Sequence, residues 1–65
     1  MTERAYPHSG WKVGDRCMLA VLQHGKVYKG TIEVVRGDRA SFLAVRTDTG
    51  LLFNVRADSG FVTRP

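Results

Sequence analysis

The chain has 65 residues, 43% hydrophobic and 25% charged, which is the composition of one small globular domain and excludes a chain that stays disordered throughout. A single cysteine, Cys17, excludes an internal disulfide and is too few for a cysteine-based zinc site, so stability has to come from packing or self-association. Ten Lys and Arg against six Asp and Glu give a net charge of +4, which favours anionic partners through long-range attraction.

The opening segment Met1-Thr2-Glu3-Arg4-Ala5-Tyr6-Pro7 lacks the apolar core of a signal peptide, and the lone cysteine suits a reducing compartment, so the expected location is cytoplasmic. The longest apolar stretch, Cys17 to Leu22, is far shorter than a bilayer requires, and no membrane partner is expected. Residues 1–9 are expected to form a flexible N-terminal arm, because Pro7 cannot donate to a ladder and Glu3, Arg4, His8 and Ser9 offer little to bury. Residues 10–65 are then the folded domain.

Within it, short β-rich runs alternate with turn residues. Cys17 to Leu22 is the first predicted strand, closed by the turn Gln23-His24-Gly25-Lys26. Val27 to Val35 is the second, with Tyr28, Gly30, Ile32 and Val34 on one face and Val27, Lys29, Thr31 and Glu33 on the other. Arg36-Gly37-Asp38-Arg39 predicts a tight hairpin, since Gly37 tolerates positive φ. Ala40 to Arg46 is the third strand, with either Phe42 and Ala44 or Leu43 and Val45 facing inward. Thr47-Asp48-Thr49-Gly50 is the next turn, in which Asp48 is placed to bond the backbone ahead of it. Leu51 to Val55 is the fourth strand, Arg56 to Gly60 fits a single 3₁₀ turn, and Phe61 to Thr63 ends the chain as a short fifth strand. Five strands in so few residues predict an all-β barrel, because closure reduces exposed edges. The expected interior is Val13, Cys17, Leu19, Gly30, Ile32, Val34, Phe53, Val55 and Val62.

The segment Trp11-Lys12-Val13-Gly14-Asp15-Arg16-Cys17 is similar to the opening of Tudor domains, and Gly25-Lys26-Val27-Tyr28-Lys29-Gly30-Thr31-Ile32 resembles the second strand of Tudor and SH3-like barrels. The resemblance covers about half of the chain and implies a five-stranded SH3-like, Tudor-like barrel with a short 3₁₀ turn before the last strand. It also implies where a methyl-reading aromatic cage would stand. Of those positions only Tyr28 is aromatic; Val21, Arg46 and Thr49 occupy the others, so the cage function is not expected. Small-barrel folds host unrelated functions, a plasmid-type dihydrofolate reductase among them, and the Gln-Ile-Tyr stretch of that enzyme has no counterpart in Leu52-Phe53-Asn54-Val55.

An enzymatic reading finds little chemistry. Cys17 lies in an apolar run, and His8 and His24 have no neighbour in sequence to orient them. The chain is therefore expected to be a non-enzymatic binding module that needs no cofactor and no metal. Nucleic acid is the expected partner, contacted by Lys12, Lys26, Tyr28, Lys29 and Arg46, with Trp11 and Tyr6 as further stacking candidates. The alternative partner is a protein: an adaptor or accessory factor, of the kind that phages and mobile elements encode, would use an apolar barrel face or an edge strand. In Leu51-Leu52-Phe53 alternation turns Leu52 outward, marking a protein interface or a homo-oligomer contact.

Overall fold

A computed structural model describes residues 8–65. Five antiparallel strands, β1 (Arg16–Val21), β2 (Lys26–Arg36), β3 (Phe42–Thr47), β4 (Leu52–Arg56) and β5 (Val62–Thr63), form one sheet in the order β4-β3-β2-β1-β5. The sheet curls into a half-barrel around β2. That strand is long enough at 11 residues to pair with β1 along its first half and with β3 along its second. The all-β expectation is met. A single 3₁₀-type turn before β5 is closed by the Ser59 N–H donating to the Arg56 carbonyl at 3.1 Å.

The core lies on the concave face. Cys17, Leu19 and Val21 of β1, Ile32 of β2, Leu43 and Val45 of β3 and Val62 of β5 are buried there together with Trp11, and Tyr28, Phe53 and Val55 pack against them partly buried. For the third strand the inward pair is thus Leu43 and Val45; Ala44 is buried too, in the row beside them. Gly30 is buried as expected, because an added Cβ would stand 2.8 Å from the Arg46 carbonyl oxygen and 2.9 Å from Val45 Cγ1.

Two expected core residues lie outside. The register slips between Ile32 and Val34, so that Glu33 is an extra residue in β2. This β-bulge reverses the alternation: Val34 turns outward at 40% exposure and Val35 packs on the core in its place. Val13 is 65% exposed. The Gly14 N–H donates to the Ile32 carbonyl and the Ile32 N–H to Asp15, which ties the Gly14-Asp15 turn to β2 while Val13 stays in solvent.

Element boundaries shift for local reasons. Leu22 ends outside β1, in a 3₁₀ helix at Leu22–His24 that Gly25 closes at φ 63°. The connection after β2 is longer than a tight hairpin: Gly37 takes φ 84°, a second 3₁₀ helix covers Asp38–Ala40, and β3 starts at Phe42 instead of Ala40. Arg39 and Ala40 both hold positive φ, a costly conformation for residues with a Cβ. Ser9 anchors it, its N–H donating to the Arg39 carbonyl at 3.0 Å and its Oγ to the Ala40 carbonyl at 2.7 Å. Of the predicted arm, Ser9 is thus held to the second 3₁₀ helix, and residues 1–7 lie outside the described residues.

Candidate nucleic-acid interface on the outer face of the sheet

Residues opposite one another in antiparallel strands share a face, so the register reads out the convex surface row by row. Arg36, Phe42 and Arg56 form one row across β2, β3 and β4. Val34, Ala44 and Asn54 form the next, and Arg16, Thr31, Arg46 and Leu52 a third across four strands. Lys29 lies beyond, opposite Met18. Four strands therefore bring five cations, Arg16, Lys29, Arg36, Arg46 and Arg56, onto one face.

An exposed aromatic sits among them. Phe42 is 45% exposed, and the Arg56 guanidinium stands 5.1 Å from its ring centroid. Gly37 makes room beneath: a Cβ there would come within 2.5 Å of the Phe42 ring. The ring is thus held at the surface by a residue that can have no side chain.

Carboxylates from loops and from the bulge partner several of these arginines. Arg16 binds Asp48 through two hydrogen bonds of 2.8 Å and also donates to Thr31 Oγ1. Arg46 reaches Glu33 at 3.1 and 3.3 Å and donates to the Gly50 carbonyl. Arg56 is held by Asp58. Hydrogen bonds from Arg16 hold the Asp48 carboxyl below the usual carboxylate range, and those from Arg56 do the same for Asp58. All three pairs are open to solvent, where screening leaves such pairs little contribution to stability. Among the described residues, Lys12, Lys26, Lys29, Arg36 and Arg39 form no ion pair.

The sequence-predicted residues do not share one site. Lys29 and Arg46 are on the outer face. Tyr28 points to the other side of β2, opposite Leu19, where its hydroxyl meets His24 Nδ1 at 2.8 Å and its ring packs with those of His24 and Phe53. Lys26 lies at the start of β2 and Lys12 in the loop before β1, its N–H donating to Asp15. Trp11 is buried, with the Arg64 guanidinium 3.9 Å from its ring centroid, so it offers no face for stacking. Tyr6 lies outside the described residues. Leu52 is exposed at 47%, as alternation required. Arg16, Arg36 and Arg56 are further cations at strand ends and outward positions, which the sequence offers for phosphate contact, whereas Phe42 escapes sequence reasoning, because only the cross-strand register sets it between two arginines.

The expected backbone-bonding role of Asp48 is taken by Thr47, whose buried hydroxyl accepts the Leu51 N–H, while the Asp48 carboxylate binds Arg16. A second feature lies on the concave side, where an apolar cleft of about 320 Å³ opens between β1 and β4, lined among others by Leu19, Val21, Leu22, Phe53 and Phe61. Cys17 is 1% exposed, and burial pushes its thiol pKa up. Among the described residues no group of His, Cys, Asp and Glu is placed to hold a metal, and no helix is long and apolar enough to cross a membrane. Comparison of the chain with protein-family models, curated proteins and solved structures finds no match.

Proposed function

We propose that this chain is a small non-enzymatic module that binds nucleic acid on the outer face of its sheet. One observation carries the reading: Arg36, Phe42 and Arg56 lie in a single cross-strand row, with Arg16, Lys29 and Arg46 on the same surface. Cations so spread contact phosphates and an exposed ring stacks on a base, which gives affinity without base reading. The curled five-stranded sheet is compatible with the SH3-like, Tudor-like barrel that Trp11 to Cys17 and Gly25 to Ile32 resemble. A buried thiol and a histidine bonded to a tyrosine argue for binding over catalysis, and the buried lone cysteine accords with a cytoplasmic location.

Fluorescence anisotropy with labelled single-stranded DNA, single-stranded RNA and duplex DNA tests the reading. The expected result is weak to moderate, sequence-tolerant binding that falls steeply with salt. Absence of binding to all three at low salt would refute it.

A second reading, a protein-binding adaptor, is favoured by the apolar cleft between β1 and β4 and by the exposed Leu52. It predicts a protein partner that survives nuclease treatment and is lost when Leu52 is made charged.

A further inference from the structure

We infer that two copies of this chain pair antiparallel along their β4 edges, with Asn54 on the two-fold axis. Among the described residues β4 ends the sheet, hydrogen-bonded to β3 on one side and to no strand on the other. Natural edge strands are blunted by lysine, proline, bulges or covering loops. Leu52-Phe53-Asn54-Val55-Arg56 has no lysine, no proline and an unbroken register with β3, so it remains a template for another strand.

The strand is complementary to itself. An antiparallel pair must set outward residues against outward ones, and a slip of one residue breaks that match. Centring on Asn54 overlaps the whole strand, whereas centring on Phe53 or Val55 overlaps only the residues of one half, 52–54 or 54–56. With Asn54 at the centre, Phe53 lies opposite the partner's Val55 on the concave side, an aromatic and β-branched pair that favours sheets. On the convex side Leu52 lies opposite the partner's Arg56, so no two like charges oppose each other. This isologous arrangement is the usual form of a dimer. It gives Leu52 a contact, covers the half-exposed side of Phe53 and Val55, and supplies the support that a 65-residue chain without a disulfide needs. It also joins the two outer faces into one surface.

Sedimentation velocity of the full chain, from about 1 μM to 1 mM, is expected to show a concentration-dependent monomer–dimer equilibrium in that affinity range. The register is tested separately. Asn54→Cys places two thiols directly opposite each other, within the Cα separation that a disulfide needs, and Cys17 is buried and does not compete. Under mild oxidation it should form covalent dimer roughly tenfold faster than Val27→Cys, an exposed control on β2, because pairing raises the effective concentration of the thiols. Leu52→Lys sets like charges opposite the partner's Arg56 at two positions and should weaken dimerisation roughly tenfold, whereas Leu52→Glu should not weaken it. Leu52 is exposed, so neither change disturbs the core. A chain that stays monomeric throughout overturns the inference. So does a dimer in which Asn54→Cys reacts no faster than the control, or in which the two Leu52 variants behave alike.

Discussion

The Arg56 guanidinium faces the Phe42 ring at 5.1 Å, and across the sheet Arg36 lies opposite the same phenylalanine. A base stacks well on an aromatic ring or on a guanidinium plane. Phe42→Ala should therefore weaken binding of a short single strand by about 1 to 3 kcal/mol, the usual worth of one stacked base, and leave duplex binding nearly unchanged. Parallel anisotropy titrations decide it. An equal loss on both substrates would mean that Phe42 acts only by shaping the surface.

Gly30 is a packing requirement. The added Cβ of any other residue would meet the Arg46 carbonyl oxygen and Val45 Cγ1 below 3 Å, and neither can swing away. Gly30→Val should cost about 3 kcal/mol through overpacking, which for a domain of this size lowers Tm by roughly 15 °C. Thermal melts followed by circular dichroism check this. An unchanged Tm would contradict the register of β2.

Asp15 closes the loop that follows Trp11. Its carboxylate accepts the Lys12 N–H at 2.9 Å and a hydrogen bond from Arg64 at 3.2 Å, and the Lys12 bond first, then Arg64, hold its pKa below the usual value of 3.8. A carboxyl whose pKa is lowered by folding contributes stability that is complete above its unfolded pKa and lost as pH falls through the folded one. Asp15→Ala should thus melt below the unaltered protein at neutral pH, and the gap should narrow as pH drops below about 4. A gap independent of pH would assign the effect to packing.

Three rings gather near the expected methyl-reading site, but they fill it themselves. His24 lies edge-on to Tyr28 and to Phe53, with centroids 5.8 and 5.7 Å away, and Tyr28 and Phe53 are 5.9 Å apart. Rings this close are packed against one another, and the bond between His24 and the Tyr28 hydroxyl opposes their opening around a methylated cation. Calorimetry with methyl-lysine and methyl-arginine peptides should show no binding tighter than about 100 μM; a tighter complex would require His24 to move out.

The fold was legible where alternation and turn chemistry agree: Cys17, Leu19, Ile32 and Val62 are buried as read, and Leu52 faces out. The reading failed at Val34 because a bulge costs one residue and leaves no mark in a β-rich run; Glu33, a charge in mid-strand, is the only hint. It failed at Val13 because a turn glycine fixes the backbone without fixing which neighbour is covered. The candidate site was only partly legible. Lys29 could be placed outward by parity, whereas the side taken by Arg46 follows the third strand, whose two faces alternation leaves open, and the row of Arg36, Phe42 and Arg56 depends on pairing residues up to 14 positions apart.

The central claim, phosphate contact by the outer face, is tested most directly by the salt dependence of duplex binding after removal of that face's charges. The triple variant Lys29→Ala, Arg36→Ala, Arg46→Ala is compared with Lys12→Ala, Lys26→Ala, which alters exposed cations elsewhere. Each phosphate contact contributes about 0.9 to the slope of log affinity against log salt, so the triple variant should lose roughly 2 to 3 units of slope and the control pair less than about 1. Equal losses in both variants, or no duplex affinity at low salt in the unaltered protein, would contradict the account.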